Sequence, residues 1–179
     1  MRSSLVSAVG SRLWLLASLP LLLAAGGRPF HNDAMRVRGF EAPVGWEPQP
    51  VGSYARLLAA WETKDGGRLT LVAQKRKPGA TARALADESR PALQRQGFRD
   101  VKLTPTATPA DDSDRIVLDA VVDDGHRFVR QLYAVWGDIG YVVTMVGPIA
   151  RAPQMRRDFD EAATSLSVGD APELVTLRR

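Results

Sequence analysis

Three consecutive segments rich in valine, isoleucine and aromatic residues restrict the fold of this chain more than any other feature. They span residues 115–122, 127–136 and 141–147, and only short turns separate them. Such runs joined by tight turns predict an antiparallel three-stranded meander. The first turn contains Asp124 and Gly125, a pair that is among the strongest short-range signals for a hairpin. This turn therefore sets the pairing of the first two strands.

The two turns predict which residues face each other in the meander. The first turn predicts the pairs Val121–Phe128, Asp119–Arg130 and Val117–Leu132. The second, taken as a four-residue turn over 137–140, predicts the pairs Trp136–Tyr141, Ala134–Val143 and Leu132–Met145. Because side chains alternate along a strand, both faces of the meander are predicted to be apolar. One face carries Val117, Val121, Phe128, Leu132, Ala134, Trp136, Tyr141, Val143 and Met145, and the other Ile116, Leu118, Ala120, Val129, Tyr133, Val135, Val142 and Val146.

Two helical patterns can cover these faces. Apolar residues recur at spacings of three and four over residues 80–96, where Thr81 can cap the helix and Pro91 predicts a kink or a division into two pieces. A second apolar stripe runs through residues 153–166. A sheet that is apolar on both sides is usually sandwiched between helices. We therefore predict an α+β fold, a three-layer α/β/α sandwich with a mainly antiparallel sheet covered by two helices.

The first half of the chain adds strands to this sheet. Residues 54–63 and 68–75 read as two strands joined by a glycine-containing turn. Residues 39–48 read as a short strand broken by Pro43, and residues 104–114 as a polar connector. The whole pattern predicts a single domain over residues 38–168, between a flexible lead at 28–37 and a disordered tail at 169–179.

The N-terminal residues have the layout of a secretory signal peptide. Arg2 and Arg12 precede an apolar run from Leu13 to Ala25, and small residues follow it. The run is about 13 residues long, whereas a membrane-spanning helix needs about 20. We predict that residues 1–27 are a signal peptide cleaved near Gly26 or Gly27 and that the protein is secreted or periplasmic. The alternative is an N-terminal anchor in the inner membrane.

Cysteine and charge exclude several classes of protein. The chain has no cysteine, which excludes disulfides, thiolate metal sites and a lipid-modified cysteine anchor. Without Arg2 and Arg12 the 24 basic residues fall to 22 against 20 acidic ones, so the charge does not indicate nucleic acid. The one dense basic cluster, at 75–77, ends a predicted strand. It is interpreted as a solvated strand end that discourages edge pairing, with contact to an anionic surface as the alternative.

The order of segments resembles the PsbP-like (DcrB-like) family. Three motifs carry the resemblance: the early element with Pro43, Gly45 and Trp46; QGFRDVKL at 96–103; and YVVTMVGP at 141–148, followed by RDFDEAATSLSV. The resemblance implies an α/β/α sandwich used for binding and assembly, without a shared catalytic set. The chain departs from the lipoproteins of the family because it has no cysteine at the end of its signal segment.

Few residues suggest chemistry. Asp123, Asp124 and His126 are the best acid–base or metal candidates, but the same residues suit a plain hairpin turn. The cluster of Asp111, Asp112 and Asp114 lacks the glycine and distal glutamate of an EF-hand loop, so a solvated connector is favoured over a calcium site. We predict no catalytic residue, no metal and no cofactor.

The predicted register suggests a contact surface instead. Asp119 and Arg130 face each other across an apolar face, as a notch for a ligand or as a plain cross-strand ion pair. Trp136 and Tyr141 form either an exposed aromatic contact site or an aromatic pair beside a turn. These four residues are the candidate surface for a partner or ligand.

Three functions follow from these features. The favoured one is an exported, non-enzymatic envelope protein that binds an envelope protein partner or supports assembly, with membrane contact only through the N-terminal segment before cleavage. The first alternative is a small-molecule or lipid carrier with a cavity between helix layer and sheet, around Arg130 and Trp136. The second is a hydrolase that uses Asp123, Asp124 and His126.

Overall fold

The computed structural model describes residues 29–106, 111–122 and 125–170, in which two helices pack on a seven-stranded antiparallel sheet. The order across this sheet is β2-β3-β4-β8-β7-β6-β5, and β1 pairs with β9 in a separate two-stranded sheet. The bounds are β1 Val37–Gly39, β2 Glu47–Gln49, β3 Leu57–Glu62, β4 Arg68–Lys75, α1 Ala82–Arg95, β5 Phe98–Pro105, β6 Asp114–Val122, β7 Arg127–Trp136, β8 Ile139–Pro148, α2 Ala152–Ser165 and β9 Ser167–Val168.

The two helices cover opposite faces of the sheet. On one face α2 buries Met155, Phe159 and Ala162 against sheet residues that include Leu132 and Met145. On the other face α1 buries Ala82, Leu85, Ala86 and Leu93 against Leu118, Val129 and Tyr133. Burial of this apolar surface, at roughly 25 cal/mol per Å², is the main force that holds the layers together. The predicted α/β/α sandwich is confirmed.

The predicted register is confirmed between β6 and β7 and wrong between β7 and β8. Val121 faces Phe128 and Asp119 faces Arg130, as predicted. Trp136, however, faces Ile139, because the turn has two residues and Gly137 takes a positive φ of 58°. Ala134 therefore faces Tyr141, two residues from the predicted pairing. A shift of two residues keeps every side chain on its face, so the two predicted apolar faces survive the error.

The sequence pattern missed two strands, β5 and β9, and misplaced the ends of others. Residues 98–105 form the edge strand β5, and Asp100 takes a positive φ of 54° beside an irregularity between Arg99 and Lys102. An extra residue in a strand interrupts its period of two, which hides the strand from pattern analysis. The segment predicted as one broken strand at 39–48 contributes instead to β1 and β2.

Helix α1 continues through Pro91 as one helix from Ala82 to Arg95, so the predicted division into two pieces is wrong. A proline removes one helical hydrogen bond, to the carbonyl four residues earlier. Pro91 is exposed, and Asp87 is exposed as well. Water can therefore satisfy the carbonyl of Asp87, and the loss of one hydrogen bond does not divide the helix.

Residues before position 38 contact the core. Phe30 and Phe40 exchange two backbone hydrogen bonds of 2.8 and 3.1 Å, and Phe30 meets Trp61 edge to face at 6.5 Å. Val37 is fully buried. The domain limits at 38 and 168 stay predictions. The predicted signal peptide lies outside the described residues, as does the predicted tail from residue 171 onward.

Candidate functional site

Arg130 lies at the centre of a small charged cluster on the α2 side of the sheet. Its Nη1 is 3.3 Å from a carboxylate oxygen of Asp119, and its Nη2 is 2.9 Å from Asp160 of α2. The guanidinium lies 5.3 Å from the centre of the Phe159 ring, a cation–π distance. The Arg130 side chain is only 18% exposed, against 29% for Asp119 and 60% for Asp160. The cluster therefore links the sheet to α2, and the carboxylate of Asp160 remains exposed to solvent.

Trp136 and Tyr141 lie near the far end of the same face and are covered by the N-terminal segment. Tyr141 is fully buried, and its hydroxyl donates to the carbonyl of Met35 at 2.9 Å. Burial is the main reason that the pKa of Tyr141 rises to about 12. Arg36 lies 5.2 Å from the centre of the half-buried Trp136 ring and also pairs with Asp170 at 3.4 Å. These aromatic residues are thus held beneath a strap of chain.

The four candidate residues therefore fall into two places. Arg130 and Trp136 are six residues apart on one strand, a distance of roughly 20 Å at about 3.4 Å per residue. Between them the interface of α2 with the sheet is filled by buried side chains, among them Leu132, Met145 and Phe159. A surface made of Asp119, Arg130, Trp136 and Tyr141 stays a prediction, and any ligand that reaches Tyr141 must first displace Met35 and Arg36.

A second arginine cluster, around Asp111 and Arg115, was not foreseen from the sequence. Arg115 donates to Asp111 at 2.7 Å and to the carbonyls of Ala163 and Leu166 at 3.1 and 2.7 Å. It thereby satisfies carbonyls at the C-terminal end of α2, which no helical N–H can reach. The side chains of Arg115 and Asp111 are 7% and 6% exposed. The cluster joins the connector before β6 to the end of α2.

Opposing effects set the pKa of Asp111. Burial alone would raise it, but the hydrogen bonds from Ser113 and Val168 and the positive charge of Arg115 together lower it below its ordinary value of 3.8. Asp111 is therefore held as a carboxylate. Since Asp114 separately accepts from the N–H of Ala82 at 2.6 Å, these two aspartates serve different helices. Within the described ranges, no group of three or more His, Cys, Asp or Glu side chains is placed to hold a metal ion.

The hydrolase hypothesis rests mainly on Asp123 and Asp124, which lie outside the described residues. His126 is exposed, and its carbonyl accepts from the N–H of Ile149 at 2.8 Å. It borders an open cleft of about 700 Å³ together with Arg68, Arg127 and the buried Phe98. This hypothesis stays a prediction.

The edge of the sheet at β2 carries the exposed apolar residues. Over the described part of the chain, the large hydrophobic side chains with high exposure are Val44 at 84%, Tyr54 at 78% and Val51 at 40%. All three flank β2 within eleven residues of sequence. They do not form one patch, because Val44 lines a cleft with Thr63 and Lys64 after β3, whereas Tyr54 precedes the start of β3. The sequence pattern does not mark this segment, because each of the three residues is unremarkable alone.

Val44 stands at the tip of a turn that is anchored on both sides. The turn closes through the N–H of Trp46, which donates to Pro43 at 3.2 Å, and Gly45 supplies the positive φ of 88°. Trp46 is buried, and its Nε1 donates to Asp158 of α2 at 3.2 Å. A cleft of about 580 Å³ lies beside the turn, lined by Val44, Trp46, Lys64, Arg151, Gln154 and Asp158 among others. The tip is thus an apolar residue on a fixed support.

Neither helix in the described ranges has the length and apolarity that a membrane span requires. No protein-family model matches the chain, and no curated protein matches it in sequence. Solved structures match it by shape. The solution structure of cyanobacterial PsbP (CyanoP) from Synechocystis sp. PCC 6803 has a TM-score of 0.61 at 16% identity and covers 86% of this chain and 99% of that one.

A second similar structure is that of LpqN, described as involved in cell envelope biogenesis of Mycobacterium tuberculosis. It has a TM-score of 0.51 at 11% identity and covers 69% of this chain and 78% of that chain. At these identities the likeness bears on the fold. The PsbP-like resemblance inferred from the sequence is confirmed at that level, which leaves the function to be argued from this chain's own surface.

Proposed function

We propose that this chain is an exported, non-enzymatic envelope protein that binds a partner protein through the turn at 43–46. The observation that carries the proposal is the exposure of Val44, at 84%, on a turn fixed by Trp46 and Asp158. An apolar side chain held in place loses little conformational freedom when it is buried by a partner. The adjoining cleft offers room for a side chain of that partner, with Lys64 and Asp158 as polar contacts at its rim.

The place of action rests on the N-terminal signal pattern, with cleavage near Gly26 or Gly27. The likeness to LpqN, whose printed description concerns the cell envelope, supports the same compartment. Intact-mass measurement of the protein recovered from the envelope fraction tests this part of the proposal. A mass that begins at or near Gly27 or Arg28 supports export with cleavage, whereas the full 179-residue mass supports the anchored alternative.

Partner binding is tested by placing a photo-crosslinking amino acid at position 44 of the full chain in cells. We expect a covalent adduct of one size at position 44 and none at position 104, since Thr104 is also exposed but lies on β5 at the opposite edge of the sheet. The matched variants Val44→Asp and Thr104→Asp each add one carboxylate at an exposed position. Only Val44→Asp should abolish co-purification of the adduct's partner, and equal behaviour of the two variants would refute the proposed surface.

A further inference from the structure

One end of the sheet gathers positive charge that the sequence places in separate segments. The residues before β3 lie beside β4 because the N–H of Ala73 donates to the carbonyl of Arg56 at 3.0 Å. Just after β4, the N–H of Arg76 donates to the backbone carbonyl of Asp138 in the turn between β7 and β8, at 2.7 Å. The segments before β3 and after β4 therefore meet at one corner of the molecule. We call this set the basic corner: Tyr54, Arg56, Lys75, Arg76 and Lys77.

The basic corner has more positive charge than its surroundings neutralise. Arg76 is held by Glu88 of α1, with both carboxylate oxygens within 2.6 Å of its Nη2. Arg56, Lys75 and Lys77 are exposed, and within the described ranges their side chains have no ion-pair or hydrogen-bond partner. Four cationic side chains thus share one ion-pair partner, the carboxylate of Glu88, within the described ranges, which leaves three of them unpaired. Other arginines such as Arg83, Arg115 and Arg130 are paired, whereas Arg95 at the end of α1 is a single exposed cation without an ion pair in the described ranges.

Tyr54 adds an apolar body to this charge. It is 78% exposed and closes a turn in which its carbonyl accepts from the N–H of Leu57 at 3.0 Å. Tyrosine is enriched where a protein meets the headgroup region of a membrane, because its ring is apolar and its hydroxyl is polar. A cleft of about 550 Å³ is lined by the segment 75–77 and by Ala84 and Glu88 of α1. The corner therefore offers exposed cations, one amphipathic ring and a recess.

We infer that the basic corner contacts an anionic phospholipid surface of the envelope. The three unpaired cations come from two segments, and no set of fixed donors converges on one point, so the corner suits a spread of headgroups better than one bound ion. The attraction between a Lys or Arg side chain and such a surface decreases over the Debye length, which is about 10 Å at 0.1 M salt, so added salt weakens it. This contact is additional to the N-terminal segment and is independent of the proposed partner surface at Val44.

Basic residues in two parts of the surface provide a matched test. Lys75 and Lys77 belong to the basic corner, whereas Arg95 and Lys102 are exposed at the end of α1 and on β5. The exported protein is sedimented with vesicles of phosphatidylcholine alone and with vesicles that also contain about 30% phosphatidylglycerol. We expect binding only to the anionic vesicles, at least tenfold weaker for Lys75→Glu/Lys77→Glu and within about twofold of wild type for Arg95→Glu/Lys102→Glu. Both double variants change the net charge equally.

Several results would overturn the inference. Equal loss in both double variants would mean that net charge alone drives binding, and equal binding to both vesicle types would assign it to apolar contact. If Lys75→Glu/Lys77→Glu binds anionic vesicles as strongly as wild type, the basic corner does not contact the membrane. Binding to duplex DNA is measured in parallel, and if this variant loses only DNA binding, the corner binds nucleic acid instead. As a control for folding, each variant must unfold at the same urea midpoint as wild type. The crosslink at position 44 is measured on the same proteins, so the two proposals fail separately.

Discussion

Arg115 and Arg130 lie on the neighbouring strands β6 and β7, on the same face of the sheet, and both reach α2. Arg115 is buried, and its three nitrogens donate to Ser113, to Asp111 and to two carbonyls near the end of α2. Arg130 is partly exposed and binds two carboxylates through Nη1 and Nη2. Its Nε is buried and has no hydrogen-bond partner within the described part of the chain.

The difference teaches what makes a buried charge tolerable. Removing a guanidinium from water has a large desolvation penalty, and only a complete set of partners offsets it. Around Arg115 each nitrogen has a partner, so the charge is well placed, and its loss leaves the buried Asp111 without an ion-pair partner. Around Arg130 water still reaches Asp160, so the loss of one partner can be repaired by solvent. An Arg–Asp pair is therefore expected to contribute more to stability in the Arg115 cluster than in the Arg130 cluster.

The largest expected effect is that of Arg115→Met. The variant keeps an apolar stem of similar size but leaves the carboxylate of Asp111 buried and two carbonyls near the end of α2 unbound. We expect a loss of about 3–5 kcal/mol in the free energy of unfolding. Urea denaturation at neutral pH measures it, with Arg83→Met as the exposed control, since Arg83 pairs only with Asp87 on the surface. A loss below about 1 kcal/mol would make the two arginine clusters equivalent.

Asp111→Asn gives the next effect and adds a pH dependence. Because the pKa of Asp111 is lower in the folded than in the unfolded chain, the unfolded chain binds more protons just below pH 3.8. The stabilisation is therefore complete above about pH 4 and is lost as the pH falls through the folded pKa. We expect Asp111→Asn to lose roughly 1–3 kcal/mol at pH 7, from hydrogen bonds to a charged group. Urea midpoints of the variant and the wild type should converge as the pH falls below the folded pKa of Asp111, and a pH-independent gap would contradict the assignment.

Arg130→Met should have a smaller effect, about 1 kcal/mol, from the loss of its ion pair with the exposed Asp160 and of a cation–π contact with Phe159. The methionine still covers Phe159, so packing changes little. The contrast with Arg115→Met is sharpest when both are measured by urea denaturation in the same buffer. An Arg130→Met loss as large as that of Arg115→Met would mean that the buried Nε has a partner, such as an ordered water.

Alternation along the strands was enough to predict the Asp119–Arg130 pair, the two apolar faces and the cover by two helices. These features depend on the spacing of apolar residues along each strand and helix and on one hairpin turn, all of which involve residues that are close in sequence. The pairing of β7 with β8 was placed two residues off because the turn at Gly137 has two residues instead of four. The error changed which residues face each other without moving any side chain to the other face.

The Arg115 cluster could not be predicted in the same way. Its partners are carbonyls 48 and 51 residues away, at the end of α2, and a backbone N–H in β9. Carbonyl groups are present at every residue, so no residue type marks them in a sequence. The polar run that contains Asp111 also looks like an ordinary solvated connector. The exposed turn at Val44 could not be predicted for a related reason, because the exposure of Val44 depends on the packing of Trp46 and not on the valine itself.

The smallest expected effect is that of Asp160→Asn, and it tests whether exposure governs the Arg130 cluster. Asp160 is 60% exposed and Asp119 is 29% exposed, although the same arginine binds both. We expect a loss of about 0.5 kcal/mol or less for Asp160→Asn and a somewhat larger loss for Asp119→Asn. Raising the salt to about 0.5 M should remove the Asp160 effect first, because a carboxylate in water is screened more strongly than one against the sheet. If Asp160→Asn has the larger and more salt-resistant effect, the helix contact and not the cross-strand pair holds Arg130, and the exposure of the carboxylate no longer predicts the strength of its ion pair.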